Sequence, residues 1–203
     1  TSIPAVAAGP VHTSSDVVRR LLEFSTNNAF TRLSAPEGFW RSAVARINMP
    51  VLFGRSGRGM PGALSKPQFR EQLQRRLNVI AEDGARAAAP HVAEAIRNLS
   101  LQNADELLHG SATSATSYLR AQVGPTLVNA MIPAMDRLLK AADDPVISQA
   151  VAALKCVDLN DAGHALALGA DNAIWFEIGG EEAAIRRNPR DTGDALLITA
   201  FAQ

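Results

Sequence analysis

Apolar residues recur along this chain at intervals of three and four and hardly anywhere at alternate positions. That spacing commits it to helices. Val17, Val18, Leu21, Leu22, Ala29 and Phe30 make one stripe; Phe69, Leu73, Leu77 and Ile80 a second; Leu127, Met131, Met135 and Leu138 a third. Hydrophobic residues are 47% of the chain and aromatics only 5%, so the core must be built from Ala, Leu, Val and Ile. Ala-rich segments with few β-branched runs favour helix. The stretches 158–201 and 99–118 are helical in pattern and dense in small residues, which lets neighbouring helices approach closely.

Caps and breakers divide the pattern. Ser15 as N-cap, with Asp16 in the first turn, opens a helix to about Leu33. Residues 34–50 read as irregular, with 47–50 extended before Pro50, and the four glycines of 54–62 read as a flexible loop. Ser65 and Pro67 start a helix that crosses Gly84 and ends near Ala88, and Pro90 restarts a short one. A short helix capped by Ser100 or Asn103 stops at Gly110. Others span 112–123, a stretch around 127–138 bent at Pro133, and a short piece from Pro145 to Leu154. Asp158 or Asn160 opens a long helix to about Arg187, and Thr192 caps a last one to about Ala202. The predicted class is all-α: a single bundle-like domain of about eight or nine helices over 15–203. Residues 1–14 form a disordered or processed segment before it.

The net charge of +0 conceals an asymmetry. Residues 1–80 carry eleven Lys or Arg against four Asp or Glu, an excess of +7; residues 81–203 carry nine against sixteen, an excess of −7. Either two oppositely charged parts of one domain face each other, or the N-terminal part offers an anion-facing surface centred on Arg55 and Arg58. The basic stretch has few aromatics, which speaks against nucleic acid. No run of 18 apolar residues exists to span a membrane. The single cysteine, Cys156, sits among Val151, Leu154 and Val157, the setting of a buried, inert thiol.

Recognisable catalytic motifs are missing. The 54–59 run Gly-Arg-Ser-Gly-Arg-Gly lacks the Gly-Lys-Ser/Thr ending of a phosphate-binding loop. His12, His91, His109 and His164 form no metal-ligand spacing, so neither metal nor cofactor is expected. His109 before Gly110 suits a helix C-terminus. Glu182 and Arg186 are i,i+4 neighbours and read as a surface ion pair. Glu181 and Glu182 also raise the question of a carboxylate acid/base pair. Thr116 and Tyr118 either pack tightly or line a small cleft between helices. Trp175 and Phe176, adjacent on one helix, cannot both enter the same core. The candidate ligand residues are therefore Thr116, Tyr118, Glu182 and Arg186, with Arg55 and Arg58 as candidate anion ligands.

Four sets of residues, in this order, carry a family resemblance. They are Gly38-Phe39-Trp40 with Arg46-Ile47-Asn48-Met49-Pro50; Asn78-Val79-Ile80-Ala81-Glu82 leading to Pro90; Asn103 to Gly110 followed by Ala115-Thr116-Ser117-Tyr118; and Glu181-Glu182, Ile185-Arg186, Asn188-Pro189 and Leu196-Leu197 before Phe201. Over about 17–201 the chain resembles the bacterial Domain of Unknown Function 4197 family. Asn103 stands where that family has Asp, and Gly179-Gly180 interrupts what is usually a well-formed helix. The resemblance implies an all-helical domain, periplasmic or otherwise in the cell envelope, and no activity. Two functional expectations follow. One is a non-enzymatic envelope module, peripherally associated, binding a protein or an anionic or lipidic ligand. The alternative is an enzyme whose site is assembled between helices from Thr116, Tyr118, His164 and Glu182.

If Arg55 and Arg58 hold anions, binding to anionic vesicles will exceed binding to neutral ones. It will weaken steeply with salt, since exposed charges are screened beyond about 8 Å at physiological ionic strength, and will fall in an Arg55→Glu/Arg58→Glu variant. A vesicle co-sedimentation titration reads this directly; equal binding to both vesicle types refutes it.

Overall fold

The computed structural model describes residues 11–48, 65–141, 143–153 and 158–202. Among these there are nine α-helices and no strand: α1 Ser14–Leu33, α2 Gly38–Arg41, α3 Pro67–Asn98, α4 Ala104–Leu108, α5 Ser114–Val123, α6 Thr126–Lys140, α7 Pro145–Ala153, α8 Leu159–Arg187 and α9 Ala195–Phe201. A single 3-10 turn, Pro189–Thr192, joins the last two. Cys156, Arg55, Arg58 and the glycine loop at 54–62 lie outside the described residues.

Helix α8 runs through the middle, packed on α1 and α6 and more lightly on α3 and α5; α3 packs most closely on α6. The expected stripes form one core. Val18, Leu21 and Leu22 of α1, Leu73 and Val92 of α3, Met131 and Met135 of α6, and Leu166, Ile174 and Ile178 of α8 are all buried. The two methionines fill the core as an i,i+4 pair. Gly84 of α3 leaves room for α6: a Cβ there would run into the Met135 side chain.

Several boundaries differ from the sequence reading. The first cap is Thr13, not Ser15. Thr13 and Asp16 form a reciprocal capping box, so Thr13 and Ser14 belong to the domain. Helix α3 does not stop at Ala88 but continues through Pro90 to Asn98. Pro90 gives up one backbone bond, but Ala88, Val92 and Ile96 on either side are buried, and packing outweighs the local break. Helix α8 is continuous through Gly179-Gly180 for the same reason. The last helix is capped by Asp194, whose side chain accepts from the Leu197 amide, and not by Thr192. Thr192 instead closes the 3-10 turn by donating to the Pro189 carbonyl at 2.6 Å. The four-residue helix α2 was not expected at all. Asp158 does cap α8.

Of the run 47–50 expected to be extended, 49–50 lie outside the described residues, and Ile47 pairs with no strand. Buried Asn78 of α3 plays that part: its Oδ1 accepts from the Ile47 amide at 2.8 Å and its Nδ2 donates to the Ile47 carbonyl at 2.9 Å. Four residues on, buried Glu82 lies under the turn before α2. Glu37 there has φ 61, in the left-handed region, and its amide helps to hold the Glu82 carboxyl down. Glu82 Oε1 has no hydrogen-bond partner among the described residues. Burial pushes the Glu82 carboxyl above its ordinary value, against the pull of Arg86.

An acid whose folded pKa exceeds its unfolded value binds more protons when folded. Its contribution is favourable at low pH and is lost as pH rises through that window. Glu82→Gln keeps the size and shape of the side chain and removes the buried charge. The variant will therefore melt at a higher temperature than wild type near neutral pH, and the gain will shrink as pH falls into the ordinary carboxylate range. Thermal unfolding followed by circular dichroism at several pH values checks both the gain and its direction.

Candidate functional site

Helix α8 carries three polar groups on faces that its apolar pattern would otherwise leave dry. The deepest is Glu182, fully buried. It meets the start of α5, whose own N-cap Thr113 makes no side-chain cap bond. Glu182 replaces that cap: it accepts from the Ala115 amide at 3.1 Å, the Thr116 amide at 2.7 Å and the Thr116 hydroxyl at 2.6 Å. A carboxylate at a helix N-terminus also gains from the helix dipole.

Arg186, one turn on, completes the cluster. Its Nε donates to Glu182 Oε1 at 2.9 Å, and its two terminal nitrogens donate to the Leu108 carbonyl at 2.7 Å and the Leu107 carbonyl at 2.8 Å. Those are carbonyls at the end of α4. The guanidinium also lies 5.1 Å over the Phe201 ring of α9. Its side chain is 11% exposed and that of Glu182 0%. The pair expected on the surface is thus a buried one, tying α4, α5, α8 and α9 together.

Thr116, Glu182 and Arg186 are brought together, then, but with their bonding capacity already used internally. Tyr118 faces elsewhere: its hydroxyl donates to the Ser100 carbonyl at 2.7 Å. His164 is exposed, and eighteen residues of helix separate it from Glu182, about 27 Å at 1.5 Å per residue. The four residues of the enzyme alternative do not converge. Glu181 also parts from Glu182, pointing to α1. There Arg32 bridges Glu177 and Glu181 at 2.5 Å each, with Ser42 donating to Glu177 at 2.7 Å and Asn28 to Glu181 at 3.1 Å. His109 takes the expected helix-end position, its Nδ1 2.9 Å from the Asp105 carbonyl.

The third group is Asp171. It accepts from the Trp175 indole at 2.9 Å and from Arg120 of α5 at 3.3 Å. Burial pushes its carboxyl up, while the Trp175 bond and Arg120 hold it down. Trp175 is thereby fixed as the floor of an open groove of about 510 Å³ between α5 and α8. Gly179, Gly180 and Ala183 continue it, Thr113, Thr116 and Arg120 line its other side, and Phe176 stands at its edge. Phe176 is 63% exposed and Trp175 is buried, so the two adjacent aromatics do split between surface and core. Sequence reasoning found the aromatic pair but not Asp171, Arg120 or the groove. A lone acid one turn before a tryptophan was the available signal.

Among the described residues of the basic N-terminal part, several arginines are paired within the protein. Arg41 meets Glu37 at 2.7 Å, Arg75 meets Glu71 at 3.1 Å, and Arg76 meets Asp144 at 3.3 Å. Arg46 and Arg75 each lie over the Trp40 ring, at 4.5 and 4.3 Å. Arg20–Asp194, Arg32–Glu177 and Arg76–Asp144 join the positive and negative parts of the chain. Among the described residues no three His, Cys, Asp or Glu are placed to hold a metal ion, and no helix is long and apolar enough to cross a membrane.

Removing one partner of a buried ion pair strands the other, at a cost of about 3–5 kcal/mol. Glu182→Ala should lose that much in urea unfolding, since Arg186 stays buried and the α5 amides lose their acceptor. Glu182→Ala/Arg186→Met should lose less than the two single changes combined. A single-variant loss below about 1 kcal/mol would contradict the structural role given to this pair.

No curated protein and no solved structure matches the chain. A family described as a protein of unknown function (DUF4197) matches residues 11–202. That match runs from α1 to α9, and the chain belongs to that family.

Proposed function

We propose that this domain is a non-enzymatic binding module of the bacterial cell envelope, and that its partner is a protein that delivers an apolar group into the groove between α5 and α8. The observation that carries this reading is Phe176: a phenylalanine 63% exposed beside a groove floored by tryptophan. An exposed aromatic next to an apolar hollow with a polar edge is the anatomy of a protein interface anchor. Arg120, Asn172 and Thr113 supply that edge. The groove is open and mostly apolar, and its one charged residue is already bonded to Asp171 and Asn172. That favours a protein side chain over an anionic headgroup. The envelope location rests on what membership of this family implies. The saturated bonding of Glu182 and Arg186 supports a structural rather than catalytic part for them.

Gly180 offers a clean probe, because a Cβ there meets nothing within 4 Å. Gly180→Leu should fold normally and fill the groove. The apolar dye 8-anilinonaphthalene-1-sulfonate should bind wild type and bind Gly180→Leu and Phe176→Ala at least about fivefold less tightly, the scale of one lost apolar contact of about 1 kcal/mol. A photo-cross-linking residue at position 176 in the native cell should give a protein adduct in the envelope fraction, and one at exposed Glu94 of α3 should not. Adducts only to lipid, adducts in the cytosolic fraction, or dye binding indifferent to both substitutions would each overturn the proposal.

A further inference from the structure

The outward face of α8 carries more than the groove. Asp161, Ala165, Gly169, Asn172, Phe176, Gly180, Ala183 and Arg187 recur every three or four residues, so they share one side of the helix. Each is exposed or half-buried. Leu168, beside them, is 44% exposed. Between its two ends this strip carries no charge; its N-terminal end is acidic at Asp161 and its C-terminal end basic at Arg187. Gly169 and Gly180 cost helix stability, about 1 kcal/mol each relative to Ala, and a Cβ at either would meet nothing within 4 Å. The packing of the described residues on one another does not require them.

We infer that this strip is the contact of a symmetric dimer, in which α8 of a second copy lies antiparallel on it. The inference rests on the reading of this face as a protein docking place and names the partner. Charge placement selects the occupant. A two-fold axis level with Ile174 brings Asp161 of each copy opposite Arg187 of the other, twice over. The same register sets Ala165 opposite Ala183, Leu168 opposite Gly180, and Phe176 opposite Asn172. Each bulky side chain thus meets a small or polar one, as an isologous interface requires. Leu168 comes level with the far end of the partner's groove. A parallel arrangement would instead set Asp161 against Asp161 and Arg187 against Arg187.

The strip from Asp161 to Arg187 is about 39 Å long at 1.5 Å per residue. With a width of about 10 Å it buries about 800 Å² over both copies, which belongs to weak, reversible association rather than to an obligate dimer. Sedimentation velocity of the full chain between about 1 and 500 μM should therefore follow a monomer–dimer equilibrium with a Kd of tens of micromolar. Phe176→Glu should leave only monomer. Asp161→Arg alone and Arg187→Asp alone should each weaken dimerisation about tenfold, and the two together should restore it to within about threefold. Circular dichroism of each variant separates lost association from lost folding.

The charge variants lie about 22 and 16 Å along the helix from Phe176, so at about 1 μM protein, where wild type is itself monomeric and no second copy competes for the groove, dye binding should be unchanged in them. A protein that binds the dye through Gly180 yet stays monomeric throughout overturns the dimer and leaves the groove reading standing. A dimer that survives Phe176→Glu, or a double charge variant as weak as the single ones, overturns the arrangement.

Discussion

The buried contact between Glu182 and Arg186 does the work that caps and aromatic packing do in other helical proteins. Helices α4 and α5 are five and ten residues long, below the length at which an isolated helix holds together in water. Neither has a side-chain cap of its own at its N-terminus. One carboxylate on α8 serves the start of α5 and one guanidinium serves the end of α4. Because the two charges also bond each other, each is satisfied while fully or nearly desolvated. The cluster fixes where the 99–123 stretch sits against α8, and with it the opposite wall of the groove.

The helical class, the core stripes and the long α8 were legible because periodicity is written in every turn. So was the division of Trp175 from Phe176, which follows from helix geometry alone. The misread features were those set by tertiary contacts. Pro90 looked like a break, but burial of Ala88, Val92 and Ile96 carries α3 across it. Ile47 looked like a strand fragment, but its partner is the side chain of Asn78, thirty-one residues away. Glu182 and Arg186 stand at the spacing of a surface pair. Nothing local announces that both lie under α5 and α9; the absence of a cap at Thr113 becomes meaningful only once α5 is seen against α8.

The charge asymmetry along the sequence also changes meaning in three dimensions. Arg20, Arg32 and Arg76 from the positive part each reach an acid of the negative part, while Arg41 and Arg75 are served by nearby glutamates. Exposed pairs of this kind contribute little each, about 0–1 kcal/mol. Their effect is on specificity: they favour the arrangement that sets α1 against α8 and α9, and α3 against the start of α7, where opposite charges match. A basic N-terminal part is therefore not by itself a surface for anions, and an argument for one has to rest on residues beyond these.

A catalytic group needs bonding capacity left over for a substrate. A carboxylate can accept about four hydrogen bonds, and Glu182 takes three from α5 and further ones from Arg186. Asp171 and Glu177 are engaged in the same way by Trp175, Arg120, Arg32 and Ser42. The buried acids of α8 thus all serve the fold. The strip the helix leaves for the outside is uncharged between Asp161 and Arg187: glycines, alanines, an asparagine and Phe176, with Leu168 and His164 exposed beside it. Sequestering charge within while displaying apolar side chains is the reverse of what keeps a solitary helix soluble. It becomes reasonable once that face is read as a surface meant to be covered.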